Sequence, residues 1–132
     1  MYNQANRAYQ MNSVQTATPG NLVVMLYDGA IRFIKAGIDG IERHDYSAAN
    51  TNLKKSQSVV HELIASLNQD IPMSKDLVRL YEYFLHCLIQ ANIRKDAKPA
   101  AEVLEHMQEL REAWKQILKT GSAQAVTSQG QY

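Results

Sequence analysis

Paired glutamate and histidine side chains are the first residues in this sequence that could do chemistry. Glu82 with His86, and Glu102 with His106, are each spaced four residues apart. A di-iron helical bundle instead uses Glu-x-x-His on paired helices, so that both ligands face inward. That motif does not occur in the sequence, and helical projection places both pairs away from the apolar stripes. We therefore predict that these residues are solvated and that the chain binds no metal and no other cofactor.

Two further residues could in principle support group transfer. A phosphotransfer bundle needs an exposed histidine with a cation nearby, but Ile64 and Ala65 occupy the turn after His61. Cys87 lies on an apolar stripe, where a thiol acts as a small hydrophobe and keeps a high pKa. As the single cysteine, it excludes an intrachain disulfide and a cysteine-based zinc site. The sequence contains no catalytic motif for phosphate, serine or zinc chemistry, so we predict no catalytic residues and no enzyme.

The composition is typical of one globular domain. The chain has 132 residues, of which 45% are hydrophobic and 20% charged, and its formal net charge is +1. No run of like charge occurs, which argues against nucleic-acid binding. The first 20 residues are polar, and the first long apolar run, residues 22–27, is far shorter than the ~18 residues needed to span a bilayer. These features predict a cytoplasmic protein without a secretory signal or membrane insertion.

Prolines and capping residues divide the chain into four helices. The apolar residues recur with the 3.6-residue period, and no alternating strand pattern is present. Thr18 and Pro19 predict a helix start, Asp45 and Ser74 predict two more, and Asp96 or a neighbour caps the last. The predicted helices cover about residues 19–43, 46–69, 75–94 and 97–119. Because the loops are short, successive helices should be antiparallel, which predicts an all-α, up-down four-helix bundle over residues 18–119.

The two ends of the chain differ from the bundle and from each other. Residues 1–17 are polar but carry isolated anchors such as Tyr9, Met11 and Val14, which favours a segment that docks on the bundle. Residues 120–132 carry no charge and little apolar bulk, which predicts a disordered tail.

The first and third helices carry more apolar surface than a four-helix bundle needs to bury. The second and fourth helices each show one apolar stripe, whereas the first shows two, about 110° apart. The first stripe comprises Leu22, Leu26, Gly29, Phe33 and Gly37; the second comprises Val23, Tyr27, Ala30, Ile31, Ile34, Ile38 and Ile41. On the third helix, Val78, Leu85 and Ile89 flank the main stripe.

Two interpretations of this surplus are open. Either the first and third helices lie centrally and the others cover them, or the surplus lines grooves that receive added helices. In the second case Ile31 and Ile34 form part of a groove wall, and Tyr27 suits its rim because an aromatic ring there carries a polar tip. The neighbouring Asp28 is either solvated or a hydrogen-bond partner that fixes an adjacent segment.

The residues that begin the first helix resemble a known family. The run TATPGNLVVMLYDGAIRF, residues 16–33, is similar to the signature of the FliS family of flagellin export chaperones. Further similarity extends over about residues 9–114. It includes Ala49-Asn50, Glu62-Leu63, Leu80-Tyr81-Glu82-Tyr83, Ala91-Asn92 and the run Glu109-Leu110-Arg111-Glu112-Ala113-Trp114.

This resemblance implies a cytoplasmic four-helix chaperone that binds the disordered C-terminal segment of flagellin. Such a chaperone prevents premature polymerisation and supports delivery to the export gate of the flagellar type III apparatus. The surplus apolar residues are then the predicted client-binding residues: Tyr9, Val23, Tyr27, Ile31, Ile34, Ile38, Val78, Leu85 and Ile89. In this interpretation residues 1–17 cover the groove until a client displaces them. Other flagellar regulators and a second copy of the chain are further candidate partners.

A different helical adaptor, such as a dimerising regulatory module, is the alternative function class. Binding of flagellin would separate it from an export chaperone.

Overall fold

A computed structural model describes residues 19–120, and these residues form four helices. Helix α1 covers Pro19–Glu42, α2 covers Tyr46–Ala65, α3 covers Pro72–Arg94 and α4 covers Ala97–Thr120. This part of the chain contains no β-strand. The all-α helical bundle predicted from the sequence is therefore confirmed. The predicted docking segment, residues 1–17, and the predicted tail beyond Thr120 lie outside the described residues.

The turn between α1 and α2 closes through backbone bonds and a side-chain cap. The N–H of Asp45 donates to the carbonyl of Gly40 at 2.8 Å, and the Asp45 carboxylate accepts from the N–H of Ala48 at 3.1 Å. His44, between them, has a left-handed φ of 59°. The prediction that Asp45 caps α2 is confirmed.

The link between α2 and α3 differs from the prediction. Helix α2 ends at Ala65 rather than near residue 69, and Asn68 then forms a turn in which its Oδ1 accepts from the N–H of Asp70 at 3.0 Å. The apolar periodicity predicted too long a helix because Leu67, two residues beyond the helix end, is still buried. Helix α3 begins at Pro72, where the missing N–H costs nothing, and Ser74 lies buried inside its first turn instead of capping it.

The turn between α3 and α4 is only two residues long. Lys95 ends α3 with a left-handed φ of 51°, and its Nζ donates to the backbone carbonyl of Asn92 at 2.6 Å and to the Asn92 side-chain Oδ1 at 2.8 Å. Asp96 Oδ1 accepts from the N–H of Lys98 at 3.0 Å, so Asp96 caps α4 as predicted.

The four helices form a ring in which each packs against two neighbours. Helices α1 and α3 face each other across the diagonal, and both pack against α2 and α4. Two polar contacts show that the neighbours are antiparallel. Asn92 near the end of α3 donates to Asn50 near the start of α2, and Arg111 in the second half of α4 donates to Asp28 in the first half of α1. Within residues 19–120, α1 and α3 thus each pack against two neighbouring helices.

Two glycines of α1 lie in close contact with α2. A Cβ added to Gly37 would lie 2.7 Å from Cγ of Leu53, and one added to Gly40 would lie 2.7 Å from the backbone N of Ala49. The C-terminal half of α1 is therefore held against α2 with no room for a side chain at these positions. None of the four helices in residues 19–120 combines the length and the hydropathy of a membrane-spanning segment.

Candidate functional site

Four of the predicted client-binding residues lie inside the bundle. Val23, Tyr27, Ile31 and Ile34 are each at most 5% exposed. They share one core cluster with Leu53 of α2, Leu88 of α3 and Met107 of α4. The second apolar stripe of α1 is thus the face that α1 turns to the core. These four side chains are buried in the closed bundle, so their role in client binding stays a prediction that would require the bundle to open.

Tyr27 occupies a buried hydrogen-bonded position rather than the rim of a groove. Its hydroxyl lies 2.5 Å from the hydroxyl of Tyr81 and accepts a hydrogen bond from Trp114 Nε1 at 3.1 Å. Burial raises the pKa of Tyr27 to about 12, although the bonds to Tyr81 and Trp114 oppose this shift. Burial likewise raises the pKa of Tyr81, helped by its contact with Tyr27. The phenols are thus neutral structural groups in the core.

Asp28 is a hydrogen-bond partner that fixes an adjacent segment, the second of the two roles predicted for it. Its Oδ1 accepts from the guanidinium of Arg111 at 3.0 Å, which joins α1 to α4. About half of the Asp28 side chain is exposed, so the ion pair fixes the position of α4 at modest energetic benefit.

The other predicted residues of the bundle lie at its surface or its edge. Ile38, Val78 and Leu85 are half-buried and pack on the rim of the core, while Ile89 is 40% exposed. Tyr9 lies outside the described residues.

Val78, Leu85 and Ile89 belong to one surface between α2 and α3. Val78, Leu85 and Asn92 are spaced seven residues apart on α3, and Asn50, Gln57 and Ile64 are spaced seven apart on α2. Asn92 Nδ2 donates to Asn50 Oδ1 at 2.8 Å, which fixes the register of this antiparallel helix pair. Seven-residue steps in opposite directions from that contact place Leu85 opposite Gln57. A second step places Val78 opposite Ile64. Ile89 and Ile93 follow Leu85 at four-residue steps and lie on the solvent side. We call this surface, formed by Ile64, Val78, Leu85, Ile89 and Ile93, the α2–α3 seam.

Ile93 is the residue of the seam that sequence reasoning missed. Its side chain is 72% exposed, the largest exposure among the bulky apolar residues of the described chain. The signal that could have found it is its four-residue spacing from Ile89, which continues the flanking stripe to the end of α3.

Part of the first apolar stripe of α1, at Leu26 and Gly29, reaches the surface close to two cations. Phe33 is buried at 9% exposure, with the Arg32 guanidinium 5.2 Å and the Lys55 ammonium 5.6 Å from its ring centroid. Gly29, one turn earlier, faces open space, because a Cβ placed there would meet no atom within 4 Å. The exposed part of this stripe is therefore a small gap at Gly29 next to the Phe33 ring, over which two cations lie. It is not a continuous apolar strip.

A groove lies between α3 and α4. Tyr83 donates its hydroxyl proton to Glu102 Oε2 at 2.5 Å across the groove, and Cys87 lies at its base. Burial raises the pKa of the Cys87 thiol. The thiol is therefore protonated and poorly nucleophilic.

The two glutamate and histidine pairs, Glu82 with His86 and Glu102 with His106, lie on exposed positions of α3 and α4. Glu82 and His86 are exposed, Glu102 accepts from Tyr83, and His106 stacks on Phe84 at 5.8 Å between ring centroids. Residues 19–120 hold no cluster of three or more His, Cys, Asp or Glu side chains suited to a metal ion.

Comparison with known proteins gives one consistent family. The family model described as "Flagellar protein FliS" matches residues 1–121. The chain is 42% identical over 113 residues to the flagellar secretion chaperone FliS of Bacillus subtilis, covering 86% of this chain and 85% of the relative. It is 34% identical over 116 residues to the protein of the same name in Salmonella typhimurium, covering 86% of each. The Campylobacter jejuni protein of that name is 27% identical over 117 residues, covering 87% of this chain and 91% of the relative.

Proposed function

Because the chain belongs to the FliS family of flagellar secretion chaperones, we propose that it binds the disordered C-terminal segment of flagellin and prevents its premature polymerisation. In this proposal the protein acts in the cytoplasm by binding rather than by catalysis. It then hands flagellin to the flagellar type III export apparatus.

The observation that supports this proposal is that apolar side chains remain exposed although the four helices already share a complete core. The core already joins all four helices through large buried side chains such as Tyr27, Phe84 and Leu53. Outside it, Ile89 and Ile93 remain exposed in line with the half-buried Leu85 and Val78. A single exposed isoleucine is ordinary, but an aligned apolar strip on a small domain is typical of an interaction surface.

Coupled folding would suit a chaperone that must release its client. A disordered segment that becomes helical on the bundle loses conformational entropy as it binds, which lowers its affinity for a given buried area. The complex is then specific but reversible, as export requires.

The proposal includes a role for the N-terminal segment. Residues 1–17, with Tyr9 as an anchor, would cover part of the client surface at high effective concentration and yield to a longer client. Deleting residues 1–17 should raise self-association of the free protein. If the truncated protein stays monomeric and binds flagellin at the parental rate, the covering role is wrong.

A titration tests the central proposal. The purified C-terminal segment of the flagellin from the same organism is labelled and titrated with the full chain while its anisotropy and far-ultraviolet circular dichroism are recorded. We expect saturable binding and a gain of helical signal beyond the sum of the two components. A flagellin that lacks this segment is the control and should not bind. Absence of binding by the intact segment would contradict the proposal and favour the alternative of a helical adaptor with another partner.

A further inference from the structure

We infer that the groove between α3 and α4 binds a short, extended, acidic segment of a partner protein other than flagellin. The groove lies on the α4 side of α3, whereas the α2–α3 seam lies on its α2 side. This second binding site goes beyond the proposed function and does not depend on it.

The shape of the groove suits a length of extended chain. Its α3 wall runs from Tyr83 to Arg94, a distance of about 16 Å at the rise of an α-helix. Its α4 wall includes Lys98 and Glu102, and the groove is open to solvent with a volume of about 670 Å³. An extended peptide advances about 3.3 Å per residue, so about five residues would fill this length. A single small ion would leave most of the groove empty.

The turn between α3 and α4 makes one end of the groove electropositive. Residues 94–98 contain three cations, Arg94, Lys95 and Lys98, and one carboxylate, Asp96. Arg94 and Lys98 line the groove, are exposed and form no ion pair with another described residue. One oxygen of Asp96 already accepts from the N–H of Lys98 at 3.0 Å. Charge complementarity at this end therefore favours carboxylates on the partner.

The other end of the groove offers apolar contacts and a polar group for a peptide backbone. The carboxylate of Glu102 is engaged there by the Tyr83 hydroxyl at 2.5 Å. Cys87 at the base and Pro99 on the wall present apolar surface. Gln90 lies between the two ends, half-buried, and its amide can both donate to and accept from a peptide group.

The distance between the two ends sets the spacing expected in the partner. Cys87 and Arg94 are seven residues apart on α3, which corresponds to about 10 Å. Extended chain covers that distance in about three residues. The bound segment should therefore carry its acidic residues about three positions from an apolar residue.

A synthetic peptide is the probe for this site. It contains one leucine, two serines and two glutamates in that order, with both ends blocked, and it is titrated into the nitrogen-15-labelled full chain. We expect saturable changes in the amide NMR signals of Gln90, Arg94 and Lys98. The same peptide with glutamines in place of the glutamates should bind at least fivefold more weakly. Equal binding of the two peptides, or no binding of the acidic one, would overturn the inference.

Two double variants of the full chain test the cations. Arg94→Gln/Lys98→Gln should weaken binding of the acidic peptide at least fivefold. Lys35→Gln/Lys119→Gln removes the same charge at exposed positions outside the groove and should bind within twofold of the parent. Lys119 lies in the last turn of α4 as Arg94 lies in the last turn of α3, so the two variants are matched in helix position. Circular dichroism and thermal unfolding verify that both remain folded. Equal losses in the two variants would show that only net charge matters and would overturn the assignment to the groove.

A titration with sodium glutamate separates a peptide site from a site for a free carboxylate. We expect the free amino acid to bind at least tenfold more weakly than the peptide, because it cannot reach both ends of the groove. Equal affinity would make the groove a small-anion site and overturn the extended segment.

The last measurement separates the groove from the flagellin site. The acidic peptide is titrated into the chain that has been saturated with the C-terminal segment of flagellin. We expect the affinity found without flagellin, since the groove and the seam lie on different sides of α3. Displacement of the peptide by the flagellin segment would assign the groove to flagellin and overturn the inference while the chaperone proposal stands. If the flagellin segment does not bind the chain at all, the proposed function fails, and the peptide and variant titrations still decide the groove.

Discussion

The hydroxyl oxygens of Tyr27 and Tyr81 lie 2.5 Å apart and join α1 to α3 across the diagonal of the bundle. Trp114 Nε1 donates to the same Tyr27 oxygen, so α4 is joined at this point as well. This buried contact therefore links three helices directly, two of which, α1 and α3, face each other across the diagonal. An apolar core tolerates many packings, whereas buried hydrogen-bonding groups are satisfied only in one arrangement, which favours a unique alignment of the helices.

Replacing Tyr27 with phenylalanine should destabilise the bundle without creating a large cavity. The change leaves the Trp114 N–H and the Tyr81 hydroxyl without their partner, and a buried unsatisfied polar group costs about 1–3 kcal/mol. Urea unfolding should show that loss. Tyr83→Phe removes a hydroxyl from an exposed tyrosine and is the matched control, with an expected change below about 1 kcal/mol. Equal stability of the parent and Tyr27→Phe would show that the contact contributes nothing.

Alkaline pH should unfold the protein through the same pair. Burial raises the folded-state pKa of Tyr27 from 10.0 to about 12, so folding favours the neutral phenol. The stabilisation is fully present below pH 10 and is lost as the pH rises through about 12. The free energy of unfolding should therefore fall over this range, together with the appearance of tyrosinate absorbance. The double variant Tyr27→Phe/Tyr81→Phe should show a shallower fall. Identical pH profiles for the two proteins would contradict the assignment.

The helices were largely predictable because their ends carry local signals. Pro19, Asp45 and Asp96 act through their own backbone neighbours, and each marks a helix start in the structure. The end of α2 was placed too late because Leu67 stays buried beyond Ala65, and burial alone mimics helical periodicity.

The candidate site was less predictable because a helical projection gives faces but not neighbours. Both stripes of α1 qualified as surplus, and the stripe with Ile31 and Ile34 turned out to face the core. That stripe is buried and the α2–α3 seam is exposed because of how the helices are placed relative to one another. This placement depends on contacts between distant residues, such as Asn50 with Asn92, which are 42 residues apart. No local sequence signal reports such a contact.

Two glycines of α1 should respond in opposite directions to alanine. At Gly29 a Cβ meets no atom within 4 Å, so Gly29→Ala should stabilise the helix by about 0.5–1 kcal/mol. At Gly40 the Cβ would lie 2.7 Å from the backbone N of Ala49 and 3.0 Å from the carbonyl oxygen of Asp45. Backbone atoms cannot move aside cheaply, so Gly40→Ala should cost about 1–3 kcal/mol or more. Thermal unfolding of the two variants compares them directly, and a stabilising Gly40→Ala would refute the close approach of α1 and α2.

Two isoleucine-to-alanine changes should separate the core from the client surface. Ile34 is fully buried, so Ile34→Ala should lower the free energy of unfolding by about 2–4 kcal/mol through lost packing and a cavity. The folded fraction should still bind the flagellin segment with parental affinity, because Ile34 does not reach the surface. Ile89 is 40% exposed, so Ile89→Ala should cost less than about 1 kcal/mol of stability yet weaken flagellin binding several-fold.

Urea unfolding and anisotropy titration on the same preparations provide both readouts. The opposite result, in which Ile34→Ala weakens flagellin binding and Ile89→Ala does not, would contradict this prediction. It would show that the second stripe of α1 contacts the client. The bundle would then have to open when it binds its client, because Ile34 has no exposed surface in the closed form.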